Sequence, residues 1–439
     1  MPPSDPPFQT PAWIGASSPH IATRPLEGNE VADLVIVGAG ILGLTTALSA
    51  ARAGLAVRVL DAATIGHGAS SWNGGQVIPG LKHDPDWLTE HLGPERGGRL
   101  ARFAGSTADR VFDLIAAEHL DVPHVRTGWI QAAVTETALA AGHARARQLI
   151  SRGAPAELLD AVAVARLTGA RGYVGGWLDK RAGTIDPLAY VQELARVAAS
   201  AGVAIAERTR ARSLTKTESG WTVLTDAGHE VRVKRVLVAT NAVTDGLVPG
   251  LAETLVPLHS FQIATAPLSG EQLATILPGE QAVSDSRRIL VYYRRGPNGR
   301  IVLGGRGRMG LPKSAADWRH LERALGRLFP ALANVPIDYR WYGRVAMTLD
   351  HMPHLHEPEP GLVAFVGCQG RGVALMTAMG LELGPALASG DRGGLPFPVS
   401  PLRPILFHAL RQVGVARGDH RKPRDGCARA LKPAGLTLS

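Results

Sequence analysis

Cysteine is scarce in this sequence, which has only two, Cys368 and Cys427, in 439 residues. Two thiols cannot form the disulfide framework of a small secreted domain or a cysteine-rich zinc or iron–sulfur site, and they suit a reducing compartment. A secretory signal is also missing, because the N-terminal residues MPPSDPPFQTPAW contain no basic segment followed by an apolar one. We therefore expect a cytoplasmic protein.

Membrane-spanning and metal-binding patterns are weak. Residues 34–51 run for eighteen residues without a charge, close to the lower limit for a membrane span, but three glycines interrupt them and Asp33 and Arg52 flank them. Three histidines lie close together: His351, His354 and His356. Pro353 prevents a helix from aligning them on one face, and no cysteine supports a zinc site. We expect neither a membrane span nor a metal.

The net charge of +9 is concentrated near the C-terminus. Residues 403–439 hold eight Lys or Arg and two Asp, a surplus of six positive charges, which leaves +3 for the rest of the chain. Residues 411–439 contain Gly, Pro and Arg without periodicity, so we expect a basic flexible tail. The tail is not expected to bind nucleic acid.

The sequence is organised around residues 33–76. An apolar run at residues 34–37 predicts a buried parallel strand, and a G-x-G-x-x-G turn and a Leu- and Ala-rich helix follow it. We name residues 38–43 the first glycine turn; its glycines are Gly38, Gly40 and Gly43. A second strand then ends in Asp61. This arrangement is typical of dinucleotide binding, with the pyrophosphate at the helix N-terminus and the carboxylate on a ribose.

Residues 66–76, GHGASSWNGGQ, form a second glycine loop whose backbone can approach a ligand closely. Here the sequence resembles the D-amino-acid oxidase superfamily of flavoproteins, and is nearest to the branch that oxidises γ-glutamylputrescine. The resemblance implies FAD, bound along its pyrophosphate and beside its isoalloxazine ring by this loop. It also implies a last glycine turn (residues 367–372), at the start of a helix after the strand at residues 362–366, beside the pyrimidine edge of the flavin.

The predicted FAD-binding residues come from the first and last glycine turns, the end of the second strand, the second glycine loop and four further positions that the resemblance suggests. They are Gly38, Gly40, Ile41, Leu42, Gly43, Asp61, Ala62, Ser70, Ser71, Asn73, Gly74, Gly75, Gln76, Ala211, Thr240, Asn241, Gly343, Gly370, Arg371 and Gly372. In one branch of the superfamily a Cys near the position of Gly343 attaches FAD covalently. We therefore expect non-covalent FAD.

The expected fold class is α/β, with a Rossmann-like FAD-binding domain and an inserted α+β substrate domain that contains an antiparallel sheet. Strands predicted at residues 261–266, 289–294 and 300–303 belong to that sheet, with Pro-Asn-Gly at residues 297–299 as a turn. The predicted domains are an N-terminal arm on the surface or partly disordered (1–30), the FAD-binding domain (31–85, 183–250 and 345–400), the substrate domain (86–182 and 251–344) and the basic tail (411–439).

The resemblance implies oxidation of the C–N bond of an amine or amino acid to an imine, which water hydrolyses, with O2 reduced to H2O2. An alternative is a dehydrogenase that passes electrons to another acceptor, because Val302 aligns with a lysine that one branch uses beside the flavin. A second alternative is a non-catalytic basic binding protein with a structural flavin. The predicted catalytic candidates are His259, Tyr292, Trp341 and His351, and Gln262 and Tyr342 lie at comparable positions.

Overall fold

The computed structural model describes residues 10–14, 21, 23–287, 290–308, 310–406 and 408. Of these, the residues up to Ile405 belong to one compact unit. The predicted basic tail lies outside the described residues. The α-helices of the described residues are α1 (Ile41–Arg52), α2 (Pro85–Leu92), α3 (Pro94–Ala117), α4 (Glu136–Ile150), α5 (Ala161–Thr168), α6 (Pro187–Ser200), α7 (Gly270–Thr275), α8 (Arg319–Leu328) and α9 (Gly372–Ser389).

The strands fall into three sheets. In chain order they are β1 (Glu30–Val37), β2 (Val57–Leu60), β3 (Gln76–Val77), β4 (His124–Val125), β5 (Trp129–Ala133), β6 (Ala156–Asp160), β7 (Gly175–Asp179), β8 (Gly183–Ile185), β9 (Ala204–Ala206), β10 (Ala211–Thr217), β11 (Gly220–Thr225), β12 (Glu230–Val238), β13 (Val256–Thr265), β14 (Ala282–Asp285), β15 (Val291–Arg295), β16 (Ile301–Arg306), β17 (Ile337–Met347), β18 (His354–Glu359) and β19 (Leu362–Val366).

The first sheet has a parallel centre in the order β9-β2-β1-β12-β19, and antiparallel strands β10, β11 and β18 extend it. The C-terminal half of β1 is fully buried, as expected for a strand with helices on its faces. Helices α1 and α9 pack closely through glycines of α9. A Cβ added at Gly380 would lie 1.9 Å from Thr45 Oγ1, and one added at Gly384 would lie 2.0 Å from Ser49 Oγ. The strand–turn–helix units at both glycine turns are therefore neighbours.

The second sheet has the order β17-β13-β16-β15-β14-β5-β7-β6. Its pairs are antiparallel, as predicted, except that β14 and β5 are parallel. The predicted Pro-Asn-Gly turn is confirmed, with Asn298 at a φ of 56°. A short third sheet, β3-β8-β4, contains Gln76 at the end of the second glycine loop. The boundaries of the predicted domains remain a prediction.

Helices α2 and α3 are separated at Gly93, whose φ is 82°, and a 3-10 turn precedes α8. One expectation needs correction. The N-terminal arm was expected on the surface or partly disordered, but Ala12 and Trp13 are buried beside Trp341 and Val302 in an apolar cluster. A Pro-rich segment without periodicity does not indicate from sequence which residues will pack against the core.

Helix α9 is the one helix in the described part of the chain that is long and apolar enough to span a membrane, and 61% of its apolar window is buried inside the protein. It packs on α1 through glycine contacts. Core helices of this kind have the same length and composition as membrane spans. Its apolarity is therefore accounted for by packing.

Candidate functional site

The first glycine turn is folded so tightly that its three glycine positions leave no room for a side chain. Gly38 has a φ of +112°, and a Cβ on Gly43 would lie 1.9 Å from the Gly38 carbonyl oxygen. A Cβ on Gly40 would lie 2.7 Å from Ser70 Oγ. Ile41 and Leu42 begin α1 with buried side chains. Amides in the first turn of a helix have no intrahelical acceptor, so the turn presents donors to an anion.

Asp61 holds this turn to the end of β2. Its Oδ2 accepts a hydrogen bond from the Ala39 amide at 2.7 Å, and its Oδ1 accepts one from the Ala63 amide at 2.8 Å, so that Ala62 lies inside a tight turn. Burial raises the pKa of this carboxyl, while the two amides act in the opposite direction. The Asp61 contact with a ribose remains a prediction. What the geometry shows is a carboxylate that positions the glycine turn.

The second glycine loop is anchored to the first turn and to itself. Ser70 Oγ accepts a hydrogen bond from the Ile41 amide at 3.1 Å, and the Ser71 hydroxyl donates to the Gly66 carbonyl. Asn73 Nδ2 donates to the Ser70 carbonyl at 2.8 Å, while its Oδ1 accepts from the Gly75 amide at 2.7 Å. Both ends of the Asn73 amide are therefore used to hold the loop.

Side chains of the second sheet hold residues 72–75. Gln262 Nε2 and Trp341 Nε1 both donate to the Trp72 carbonyl, at 2.6 and 3.1 Å. A Cβ on Gly74 would lie 2.8 Å from Tyr292 Cε2, and one on Gly343 would lie 3.2 Å from the Trp72 carbonyl oxygen. The substrate-domain candidates Tyr292 and Trp341 are thus brought to the second glycine loop.

Burial raises the pKa of the Tyr292 hydroxyl to about 12. The hydroxyl is therefore protonated at neutral pH and can form hydrogen bonds. It lies 2.8 Å from Ser260 Oγ.

Gln262 is 1% exposed, and its Oε1 has no hydrogen-bond partner among the described residues. A buried polar atom without a partner is costly, so this oxygen marks a position at which a ligand donor would be stabilised. Gln76 Nε2 donates to the Val283 and Tyr293 carbonyls, both at 3.3 Å.

The last glycine turn approaches the first at the same edge of the sheet. The Gly367 amide donates to Asn241 Oδ1 at 3.0 Å, and Thr240 Oγ1 lies 2.7 Å from Thr244 Oγ1. Gly370 has a φ of +79°, and Gly372 is the first residue of α9. Thr240 and Asn241 follow β12, and so two sequence-predicted segments meet here.

Arg371 points from the last glycine turn towards the loop after β3. Its Nη1 donates to the Pro79 carbonyl, and its guanidinium lies 5.6 Å from the centroid of the Trp129 ring. Burial lowers its pKa to about 9, and Arg145 lowers it further while Asp179 and Asp84 oppose this. No carboxylate forms an ion pair with Arg371 within the described ranges.

Lys82 lies beside Arg371 and was missed by the sequence reasoning. The residue is accessible to solvent, yet burial among surrounding protein atoms, followed by Arg371 and Arg145, lowers its pKa to about 8. Solvent therefore reaches this side chain although protein atoms surround much of it. The Lys82 carbonyl accepts a hydrogen bond from Arg145 Nη2 at 3.0 Å, but the Lys82 ammonium has no hydrogen-bond or ion-pair partner in the part of the chain that the structure describes. Arg145, by contrast, pairs with Asp84 at 2.7 Å.

The remaining candidates lie elsewhere or have other contacts. His259 packs on Tyr342 at a centroid distance of 5.6 Å, and His351 is on the exposed loop between β17 and β18. Ala211 begins β10 in an apolar cluster. Their predicted roles remain predictions.

Two other features lie apart from the glycine turns. A depression of about 300 Å3 is lined by Arg96, Arg99 and Arg392 and shares no residue with them. Within the described residues, no group of three or more His, Cys, Asp or Glu could hold a metal ion.

The residues present fit FAD. Glycines lie where a pyrophosphate needs close backbone approach, and the amide donors at the N-termini of α1 and α9 are near each other. Beside Gly74, Gln262 Oε1 could accept a hydrogen bond from a ligand, because it has no partner among the described residues. Gly343 carries no nucleophile. Cys368, the cysteine among the described residues, is buried just before α9. Non-covalent attachment remains a prediction.

Comparisons with known proteins agree with this geometry. Residues 33–384 match the family model described as DAO, FAD dependent oxidoreductase. The chain is 31% identical over 381 residues to the probable oxidoreductase OrdL of Rhizobium meliloti, covering 84% of this chain and 86% of that protein. It is 31% identical over 347 residues to the gamma-glutamylputrescine oxidoreductase of Escherichia coli, covering 78% of this chain and 80% of that protein.

A solved structure shows the same fold. Glycine oxidase from Geobacillus kaustophilus superposes with a TM-score of 0.71 at 20% identity, covering 85% of this chain and 99% of that one. The predicted fold class, the FAD cofactor and an oxidoreductase acting on amines or amino acids are confirmed, and the rival hypothesis of a non-catalytic binding protein gains no support. The chain belongs to the DAO family of FAD-dependent oxidoreductases.

Proposed function

We propose that this chain oxidises the C–N bond of an amine that also carries a carboxylate, such as a γ-glutamylated amine. The observation that carries the proposal is the pair Lys82 and Arg371, two neighbouring cations that no carboxylate of the described residues neutralises. Neighbouring cations repel each other, and an anionic ligand group would relieve that repulsion. The same charges repel a second ammonium, and so free diamines should bind poorly.

The reacting amine must be neutral, because its lone pair stabilises the developing imine. FAD, when bound, accepts a hydride from the carbon next to the amine nitrogen, and water then hydrolyses the imine. Gln262, Trp341 and Tyr292 hold residues 72–75, against which the substrate carbon would be oriented. Lys82 and Arg371 would hold the carboxylate at a distance from the reacting carbon.

The proposed electron acceptor is O2, reduced to H2O2. Another acceptor is favoured by one observation: Val302, which aligns with the lysine that one branch uses beside the flavin, is 1% exposed and packs with Trp13 and Trp341. No charged side chain of the described residues stands at that position. The proposal also keeps a cytoplasmic location, since a single buried free cysteine in the described residues suits a reducing compartment.

An anaerobic screen tests the substrate. Flavin bleaching is measured with γ-glutamylputrescine, with putrescine and with amino acids that bear a secondary amine, and the reduced enzyme is then mixed with O2 or an artificial acceptor. We expect bleaching by carboxylate-bearing amines and little by putrescine. Equal rates with putrescine and γ-glutamylputrescine would contradict the charge argument, and fast reoxidation only by the artificial acceptor would favour a dehydrogenase.

A further inference from the structure

A buried arginine supports the backbone of the second glycine loop. Arg294 is 7% exposed, and its Nη1 donates to the Ile185 carbonyl at 2.5 Å and to the Gly75 carbonyl at 3.1 Å, with the Gly74 carbonyl at 3.5 Å. A Cβ on Gly75 would lie 2.2 Å from the same nitrogen. The guanidinium therefore lies directly against the loop.

Arg294 keeps its charge without a carboxylate partner. No ion pair of Arg294 occurs in the described part of the chain, and Asp186 and Glu280 act on it only at longer range. Burial lowers its pKa to about 10, which still leaves it protonated at neutral pH. A buried cation bound mainly to backbone carbonyls is costly for stability alone.

Trp13 covers this cation. The Arg294 guanidinium lies 5.0 Å from the centroid of the Trp13 ring, and Trp13 packs edge-to-face on Trp341 at 6.2 Å. Trp341 in turn donates to the Trp72 carbonyl. Trp13 is 0% exposed, so the N-terminal segment excludes water from the guanidinium. In such a setting, both the cation–π contact and the charge-assisted hydrogen bonds are strengthened.

We propose that Arg294 and Trp13 act together as a positioning clamp that fixes the backbone of Gly74 and Gly75 against the flavin and places a buried positive charge behind it. Neither residue is part of a glycine motif, and in sequence Trp13 precedes the second glycine loop whereas Arg294 follows it. The clamp explains why a cation without a carboxylate partner is kept in the core. It also gives the N-terminal segment a role in cofactor binding.

The test compares Arg294→Gln with Arg294→Lys and a matched control. Arg295→Gln removes the next arginine on β15, which also donates to a backbone carbonyl, that of Ile276 at 3.0 Å, but lies away from the loop. For each variant, the apoprotein is titrated with FAD, and the flavin midpoint potential and the visible circular dichroism are measured. Thermal unfolding of the apoprotein reports any general destabilisation.

Loss of a charge-assisted hydrogen bond should raise the FAD dissociation constant of Arg294→Gln about tenfold or more. Its flavin potential should fall, because the positive charge that favours the reduced ring is gone. Arg294→Lys should restore the potential more than the affinity, and Arg295→Gln should change neither. An Arg294→Gln protein with parental potential and FAD affinity would overturn the proposal, as would an equal potential shift in Arg295→Gln.

Trp13→Leu keeps the proposal testable if Arg294→Gln does not fold. It leaves Arg294 in place but removes its cover, so water reaches the guanidinium. We expect a several-fold rise in the FAD dissociation constant and stronger quenching of flavin fluorescence by iodide. Unchanged affinity and unchanged quenching in Trp13→Leu would overturn the part of the proposal that concerns the N-terminal segment.

Discussion

Replacement of Lys82 by glutamine tests the proposed carboxylate recognition. The pKa of Lys82 is lowered from 10.5 to about 8, first by burial and then by Arg371 and Arg145, with Cys368 opposing. The ammonium is therefore present below about pH 8 and lost above it. A carboxylate bound to it should have a dissociation constant that is lowest below this pH and rises by up to about tenfold per unit above it.

The magnitude follows from one charge-assisted hydrogen bond, about 1.5–3 kcal/mol. At pH 7 the Lys82→Gln variant should therefore bind a carboxylate about 10- to 100-fold more weakly. Glutarate is a suitable probe, because it has no amine and keeps its charge from about pH 6 to 10. Binding is followed by the change in flavin absorbance. Lys216→Gln is the control, since Lys216 is half exposed and pairs with Glu359 at 2.6 Å.

Two results would refute this reasoning. One is an unchanged glutarate affinity in Lys82→Gln, and the other is the same pH dependence in the variant as in the parent. The pH dependence of stability offers an independent check of the direction of the Lys82 pKa shift. Because the folded-state pKa lies below the unfolded value, the Lys82 contribution to the free energy of unfolding is lost as the pH falls through about 8. The neutral variant should therefore not melt below the parent at pH 7.

Three further predictions follow from the site. Gly40→Val should abolish flavin content in the purified protein, measured by absorbance, because a Cβ there already lies 2.7 Å from Ser70 Oγ; a yellow variant would contradict the assigned pyrophosphate position. Acid precipitation should release free FAD into the supernatant, because Gly343 carries no nucleophile; flavin retained by the pellet would point to Cys368, the cysteine of the described residues. The rate constant of anaerobic flavin reduction per unit substrate should rise with pH from about 7 towards the amine pKa of the substrate, about 10.4 for a free alkyl amine, and the rise should shift with substrates of lower amine pKa. An inflection that stays fixed across substrates would show that a group of the enzyme titrates instead.

The parts of the fold that the sequence predicts are those with local signals. The first glycine turn lies between an apolar run and a helix. An Asp-Pro pair is a typical helix start, and Asp186 caps α6 by accepting hydrogen bonds from the Leu188 and Ala189 amides. The last glycine turn repeats the same local pattern before α9. Each of these signals arises within a few residues, because backbone conformation and capping are decided locally.

The parts that the sequence does not predict depend on distant pairs. Arg294 and the Gly75 carbonyl are 219 residues apart in sequence, and an arginine on a strand normally indicates a solvated face. Trp13 lies in a Pro-rich arm with no periodicity. Lys82 stands in an irregular loop, and its pKa is lowered by burial and by the three-dimensional neighbours Arg371 and Arg145. Contacts of this kind have no spacing rule that a single sequence displays.

Charge pairing separates structural cations from functional ones around this site. Arg145 pairs with Asp84 at 2.7 Å and Arg181 with Asp179 at 2.6 Å, so their charges are neutralised within the protein. Lys82 and Arg371 stand beside these pairs but have no carboxylate partner among the described residues, although burial lowers the pKa of both. Two neighbouring cations repel each other. The Pro79 carbonyl and the Trp129 ring stabilise Arg371, and solvent stabilises Lys82, but none of these supplies a full negative charge. An anionic group would do so, and this is the physical reason for proposing that Lys82 and Arg371 bind the substrate carboxylate.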